Sequence, residues 1–184
     1  GQGTVGLEIL EDCPQVTDVF ASIGGGGLAA GVAIAIKESG RDASVNERGD
    51  RAEGQNSVRR VFGVETQGAD AMAQAIAAGN PVTLPAITSI AKTLGAPAVT
   101  ERTLKLTQDY IESVTVVTDA EALAELKYIA ERLKVMCEPA SACNLAAAEK
   151  LKRKFTPESH VVIILCGGNF SLDSLIDYEK AAEG

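Results

Sequence analysis

The stretch ASIGGGGLAAG, residues 21–31, places four consecutive glycines, Gly24 to Gly27, between an apolar run and an alanine-rich run. The residues before them, 16–23, are β-branched and apolar and predict a buried strand. The residues from Leu28 to about Glu38 are good helix formers and predict a helix. Because glycine is costly to order and a tight turn needs only one or two, this strand-to-helix turn indicates a binding role.

The glycines precede the first turn of the predicted helix, where backbone N–H groups lack partners and carry partial positive charge. Glycine also lets a ligand approach the backbone because no Cβ is in the way. The combination predicts a phosphate site formed by Gly24 to Gly27 and the N–H of Leu28. The alternative is a tight turn that packs against a neighbouring element.

A dinucleotide site is a second alternative, because Gly24, Gly26 and Ala29 also satisfy G-x-G-x-x-A. That motif requires an acidic residue about 20 residues on, at the end of the next strand. Here the next predicted strand ends at Glu65, which is too far along the chain. The pattern therefore favours another phosphate-bearing ligand.

The rest of the chain alternates strands and helices, which predicts an α/β fold with a mostly parallel sheet and helices on both faces. Pro139 predicts a helix start, and Thr118 or Asp119 a helix cap. The polar stretch 39–60 predicts a solvated, mobile excursion. The predicted strands are 60–65, 113–118 and 160–166, the last covered on both faces, and the predicted helices are 68–79, 122–135, 139–154 and 172–182.

Composition excludes several classes of protein. The net charge of −8 argues against a nucleic-acid partner, and no apolar run is long enough to span a membrane. The N-terminus lacks the layout of a signal peptide. His160 is the only histidine and is expected at the surface, and no cysteine pair has C-x-x-C spacing, which disfavours zinc. We therefore expect a cytoplasmic protein whose thiols, Cys13, Cys137, Cys143 and Cys166, are reduced.

Several motifs occur in family order along the chain: IGGGGLAAG, FGVETQGADA, LPAITSIAKTLGA, CEPASA and CGGN. Together they resemble the serine and threonine dehydratases, pyridoxal-phosphate (PLP) enzymes of the tryptophan-synthase-β fold type. The resemblance implies that 1–184 is the C-terminal part of the large cofactor domain. It also implies a homodimeric parent that acts on a small amino acid, releasing a 2-oxo acid and ammonia. The alternatives are a racemase or another β-hydroxy amino acid lyase, or a non-catalytic phosphate- or dinucleotide-binding module.

The resemblance also implies site residues. Gly24, Gly25, Gly26, Gly27 and Leu28 match the loop that holds the PLP phosphate, and Thr93 matches a position that faces the cofactor ring. Cys166 matches the residue beside the pyridine nitrogen, although a buried apolar role at a strand end is the alternative. Glu138 matches a glutamate near the active site. No catalytic residue is assigned, because the family's Schiff-base lysine segment is not found and the contexts of Lys37, Lys92, Lys105 and Lys134 do not match it.

A cation site is implied next to the phosphate loop. Glu65 supplies the carboxylate, and the other matching positions are Gly24, Ala69, Leu94 and Ala96. Oxygen ligands suit a hard cation such as potassium. The racemase-like branch has a further aspartate where this chain has Ala71, which argues against a magnesium site of that kind. The alternative for Glu65 is a solvent-exposed carboxylate at a strand end.

Overall fold

The computed structural model describes residues 1–42 and 59–182. The strands are β1 (Asp18–Ser22), β2 (Arg60–Thr66), β3 (Ser113–Val117) and β4 (Val161–Ile163). The helices are α1 (Thr4–Asp12), α2 (Gly27–Asp42), α3 (Ala71–Ala78), α4 (Glu101–Tyr110), α5 (Asp119–Leu133), α6 (Pro139–Leu151) and α7 (Leu172–Ala182). Short 3-10 turns occupy Lys92–Leu94 and Lys152–Lys154.

The four strands form one parallel sheet in the order β3-β2-β1-β4. Phe20 of β1 lies opposite Phe62 of β2 on one side and Ile163 of β4 on the other. Helices pack on both faces, as parallel strands require, because a βαβ connection covers the sheet on each crossing. The predicted fold class is therefore confirmed.

Each face of the sheet has its own apolar core. Val19, Ala21 and Val61 point to the face that α2 covers, where they pack with Val32 and Met72. The alternating residues of the same strands point to the other face, against α6. There Phe20 and Phe62 stack with their ring centroids 4.8 Å apart and pack with Cys143 and Ala147.

The predicted helix starts after β3 and before α6 are confirmed. Thr118 caps α5 through a capping box, in which its hydroxyl accepts the N–H of Glu121 and Glu121 accepts the N–H of Thr118. Pro139 is the first residue of α6. The helix ends at Leu151, and the predicted extension to Lys154 is a 3-10 turn.

Some predicted boundaries were wrong. The strand predicted over 160–166 is reduced to Val161–Ile163 and is half-buried, because within the described residues β4 pairs only with β1. Helix α3 begins at Ala71 instead of residue 68, because Gly68 has a φ of +84° and Thr66 forms a bridge with Ala69. Helices α1 and α4 were not predicted, since α1 starts among glycines and α4 has few apolar residues.

The predicted polar excursion, 39–60, is tested only at its ends. Residues 39–42 continue α2, and Arg60 already belongs to β2. Residues 43–58 lie outside the described part of the chain. In the described ranges, no helix is both long and apolar enough to cross a membrane.

Candidate functional site

The strand order places a crevice between β1 and β4. Strands β2 and β3 follow each other on one side of β1, whereas β4 lies on its other side. In open parallel sheets, ligands bind at the carboxyl ends of the strands where the strand order reverses in this way. The glycines follow β1 and Cys166 follows β4, so the topology brings these two predicted segments to one crevice.

A cavity of about 400 Å³ occupies this crevice, a volume typical of small-molecule sites. Its wall includes every residue predicted to hold a cofactor: Gly24, Gly25, Gly26, Gly27, Leu28, Thr93 and Cys166. Ser22, Leu94, Glu138, Ala140 and Gly167 complete the lining. Ser22 and Ala140 were not singled out from the sequence, although Ser22 lies in the quoted glycine stretch.

The glycine loop presents backbone N–H groups to the cavity. Helix α2 begins at Gly27, so its first amides have no intrahelical acceptor. Among the described residues, the amides of Gly24, Gly25 and Gly26 donate no backbone hydrogen bond. A Cβ added to Gly25 or Gly27 would meet no protein atom within 4 Å, so the space beside these backbones is open. This arrangement fits an anion as large as a phosphate group.

Gly26 differs from its neighbours because the fold itself requires it. Its φ of +89° is a left-handed conformation that side chains disfavour. A Cβ here would lie 2.9 Å from Met72 Cε and 3.0 Å from Thr103 Cβ. Gly26 is therefore needed for packing, whereas Gly25 has neither constraint.

Cys166 lines the same cavity as the loop and is exposed. Its Sγ is 3.5 Å from Ser141 Oγ and donates to Ser22 Oγ at 3.7 Å. Ser22 Oγ in turn donates to the carbonyl of Ala140 at 2.5 Å. The buried apolar role considered for Cys166 is therefore wrong, and the thiol is available to a ligand. Ser141 is a further residue near the site that the sequence analysis missed.

Thr93 and Glu138 are joined on the cavity wall. The Thr93 hydroxyl donates to Glu138 Oε2 at 2.7 Å. The backbone N–H of Asn169 donates to Glu138 Oε1 at 2.9 Å. Glu138 is buried, whereas Thr93 is exposed to the cavity. The CGGN motif that includes Asn169 was recognised, but its contact with Glu138 was not predicted.

Glu65, the predicted cation ligand, is fully buried, so the solvent-exposed alternative was wrong. Its two carboxylate oxygens accept the N–H groups of Met72 and Ala73, each at 2.8 Å. Burial raises the pKa of Glu65 to about 7, while these two hydrogen bonds act in the opposite direction. The carboxylate thus satisfies the start of α3.

The structure shows contacts between only some of the other predicted cation ligands. A Cβ built on Gly24 lies 3.5 Å from the Cα and carbonyl oxygen of Leu94, which places these two backbones together. The Leu94 carbonyl also accepts the N–H of Ala96 at 2.7 Å. Within the described ranges, no group of three or more His, Cys, Asp or Glu side chains could hold a metal. The site formed by Gly24, Glu65, Ala69, Leu94 and Ala96 stays a prediction that depends on backbone carbonyls.

Fold and cavity together define a class of protein: an α/β protein whose glycine-rich turn lines a cavity that fits a phosphate-bearing ligand. Comparison with known proteins identifies the family. Residues 1–167 match the family model described as "Pyridoxal-phosphate dependent enzyme", and the chain belongs to this family.

Individual relatives include racemases and ammonia-lyases. A serine racemase of Oryza sativa subsp. indica is 36% identical over 179 residues, covering 95% of this chain and 48% of the relative. An L-threonine ammonia-lyase of Geobacter sulfurreducens is 31% identical, covering 95% of this chain and 39% of the relative. The crystal structure of a fungal L-serine ammonia-lyase from Rhizomucor miehei matches with a TM-score of 0.82 at 26% identity, covering 99% of this chain and 56% of that chain. The chain spans about half the length of these relatives or less.

Proposed function

We propose that this chain is part of a PLP-dependent ammonia-lyase that removes the β-hydroxyl of L-serine or L-threonine, releasing a 2-oxo acid and ammonia. The observation that carries the proposal is that the open glycine loop and the Cys166 thiol line one cavity. Threonine and serine ammonia-lyases among the relatives support the same reaction class.

The residues present fit the cofactor. The amides of Gly24 to Gly27 and Leu28 would hold its phosphate through charge-assisted hydrogen bonds, helped by the N-terminus of α2. Thr93 and Cys166, which line the same cavity, would contact its ring. The open space beside Gly25 and Gly27 gives the phosphate room to approach the backbone.

When bound, PLP would supply an electron sink for the electrons left by removal of the substrate's α-proton. The proposed role of Cys166 is to face the pyridine nitrogen. A neutral thiol is a poor proton source for that nitrogen, so the sink is weaker than one paired with a carboxylate. We expect this weaker sink to suit loss of a β-hydroxyl better than transamination.

The catalytic lysine is proposed to lie outside residues 1–184. In the described part of the chain no lysine lines the cavity, and Lys37, Lys92, Lys105 and Lys134 do not match the family's lysine segment. The isolated chain is therefore expected to bind the cofactor without turning over serine. We further propose a cytoplasmic homodimer as the parent protein, with a potassium ion beside Glu65.

Serine racemase is the second candidate function. The relative reported above with 36% identity is a serine racemase. Against it, Ala71 occupies the position where the racemase-like branch has an aspartate. The two activities give different products from L-serine, namely pyruvate with ammonia or D-serine.

The phosphate-loop assignment is tested by titrating residues 1–184 with PLP, pyridoxal and inorganic phosphate, using fluorescence and equilibrium dialysis. PLP is expected to bind at least about tenfold more tightly than pyridoxal, because charge-assisted bonds to the phosphate contribute most of the affinity. Inorganic phosphate should compete with PLP. Equal affinities for PLP and pyridoxal would contradict the assignment.

The reaction is tested on the whole gene product that contains this chain. Incubated with L-serine and PLP, it should accumulate pyruvate and ammonia. Accumulation of D-serine instead would favour the racemase. PLP binding without either product would favour a non-catalytic binding module.

A further inference from the structure

Glu138 occupies the cap position of α6 but does not cap it. It directly precedes Pro139, has an extended backbone, and its side chain makes no hydrogen bond to the first turn of the helix. Cap residues with carboxylate side chains usually accept an amide of that turn. The Glu138 carboxylate therefore accepts hydrogen bonds from groups outside this helix turn.

The carboxylate connects two parts of the cavity wall that are far apart in sequence. Oε2 accepts the hydroxyl of Thr93, which lies in the 3-10 turn Lys92–Leu94, and Oε1 accepts the N–H of Asn169, which follows β4. The main chain strengthens the second contact, because Glu138 N–H donates to the Gly167 carbonyl at 3.1 Å. We call Thr93, Glu138 and Asn169 the carboxylate bridge.

Burial makes the carboxylate bridge energetically important. Glu138 is only 8% exposed, and a buried carboxylate is costly unless hydrogen bonds satisfy it. Within residues 1–42 and 59–182 Glu138 forms no ion pair, so neutral donors carry the whole of this task. Removing either donor would leave a carboxylate oxygen short of a partner.

The segment between Cys166 and Asn169 is adapted to the carboxylate bridge. A Cβ on Gly167 would lie 2.7 Å from Glu138 Oε1, so only glycine leaves room for the carboxylate. The Ser141 hydroxyl holds the same segment from the other side, since it donates to the Gly167 carbonyl at 3.0 Å and accepts its N–H at 2.9 Å. Cys166 is adjacent to this doubly held glycine.

We infer that Glu138 is a positioning residue: its carboxylate fixes Thr93 and the 166–169 segment relative to each other, and so sets the width of the cavity where the cofactor ring lies. The inference rests on the proposed function, because it assumes that a cofactor ring occupies this half of the cavity. It assigns Thr93 a second role, in which its hydroxyl is engaged by Glu138.

The test compares Glu138→Leu with Glu138→Gln in the 1–184 chain, with Glu131→Leu on the exposed side of α5 as the matched control. Leucine cannot accept either hydrogen bond. Glutamine preserves both contacts, because its oxygen accepts the Asn169 N–H and its NH₂ donates to the Thr93 hydroxyl. Affinities for PLP and for inorganic phosphate are measured on each variant, together with thermal unfolding.

Glu138→Leu is expected to weaken PLP binding at least about tenfold, while Glu138→Gln and the control stay within about threefold of the parent chain. Inorganic phosphate affinity should stay unchanged in all variants, because phosphate would bind the amides of the glycine loop, which take no part in the carboxylate bridge. Thr93→Val removes one contact and should fall between the two Glu138 variants. It also gives a measurement if Glu138→Leu does not fold.

Three results would overturn the inference. Equal losses in the Gln and Leu variants would mean that the charge matters and the positioning does not. Parallel losses of PLP and phosphate affinity would mean a general structural defect. Unchanged PLP affinity in Glu138→Leu or Thr93→Val would mean that the carboxylate bridge has no effect on the ring. If the parent chain binds neither PLP nor phosphate, the proposed function fails as well.

Discussion

The carboxyl edge of the sheet has a closed half and an open half. In the closed half, at the end of β2, Glu65 is fully buried and both its oxygens accept amides of α3. In the open half, at the ends of β1 and β4, the amides of the glycine loop and the Cys166 thiol line a cavity of about 400 Å³. Both halves contain backbone amides at the start of a helix. In the closed half these amides have hydrogen-bond acceptors, whereas in the open half they face the cavity.

The closed half illustrates how a strand end is sealed. Asp70, the cap residue of α3, does not cap it with its side chain and instead accepts the N–H of Gly68. Glu65 replaces it from the neighbouring strand. Next to it, the Ser89 hydroxyl lies 2.8 Å from Thr66 Oγ1 and 2.6 Å from Asp119 Oδ1. Donors and acceptors here are satisfied by the protein itself, as buried polar groups require.

In the open half, comparable amides at the start of α2 have no acceptor among the residues that the structure describes, whereas at the start of α3 the side chain of Glu65 accepts them. From this difference we expect the closed half to serve stability and the open half to serve binding. Variants should therefore separate the two properties, with stability changing at Glu65 and cofactor affinity changing at the glycine loop.

The largest expected effect is a difference in thiol reactivity across the boundary of the cavity. Cys166 is exposed in the open half, whereas Cys143 is buried close behind it, and both contact Ser22. Burial raises the pKa of Cys143 to about 12 from 9.0, which lowers its thiolate fraction by roughly a thousandfold. Iodoacetamide should therefore alkylate Cys166 orders of magnitude faster than Cys143, as measured by peptide mass spectrometry.

The same experiment reports on the cavity when PLP is present. PLP should slow alkylation of Cys166 and leave Cys13, which lies on α1's side of the sheet, unaffected. Equal protection of both thiols, or rapid alkylation of Cys143, would contradict the division into closed and open halves.

Glu65→Leu is expected to have the largest effect on folding. The substitution leaves the N–H groups of Met72 and Ala73 without acceptors. Each unsatisfied amide costs about 1–3 kcal/mol, and removing a buried carboxylate returns part of this, so we expect a loss of about 3 kcal/mol. Urea unfolding measures the loss, with Glu112→Leu at an exposed position as the control. A change below about 1 kcal/mol would show that these two hydrogen bonds contribute little.

Gly25→Val is the matching variant in the open half. Gly25 is exposed, its φ is not in the left-handed region, and an added Cβ has open space, so the fold should tolerate valine. The side chain would occupy the phosphate position, so we expect PLP affinity to fall about a hundredfold, equivalent to two or more charge-assisted hydrogen bonds. Dialysis measures the affinity, and circular dichroism checks folding.

The control for Gly25→Val is Ala77→Val on the exposed side of α3. Gly26→Val would be a poor substitute, because its φ of +89° and the nearby Met72 make the substitution destabilising by itself. If Gly25→Val binds PLP as tightly as the parent chain, the glycine loop does not hold the phosphate.

The open half could be predicted from the sequence far better than the closed half. The role of Gly24 to Gly27 can be read from neighbouring residues, because the strand, the turn and the helix start follow one another in the chain. Glu65 and Glu138 look alike in sequence, and their roles depend on partners 7 to 45 positions away. The exposure of β4 was also missed, because a continuous apolar run does not reveal how many neighbouring strands are present.

The smallest expected effect is a pH dependence confined to the closed half. Burial raises the pKa of Glu65 from 4.5 to about 7, so the folded chain retains a proton between these values that the unfolded chain has released. Stability is therefore greatest below pH 4.5 as far as this group is concerned, and it decreases as the pH rises toward 7. Linkage gives a decrease of about 2 kcal/mol between pH 5 and 7.

Urea unfolding of the parent chain and of Glu65→Gln across this range isolates the contribution of Glu65, because glutamine does not titrate while the other charges are unchanged. If burial dominates, the free energy of unfolding of the parent chain should fall relative to that of Glu65→Gln as the pH rises. Potassium at constant ionic strength, with tetramethylammonium as its replacement, adds a second test. A cation bound to Glu65 favours the ionised carboxylate, so potassium should flatten the pH dependence of the parent chain and leave Glu65→Gln unaffected. Parallel curves at all pH values would mean that Glu65 stays ionised in the folded chain, held by the amides of α3 alone.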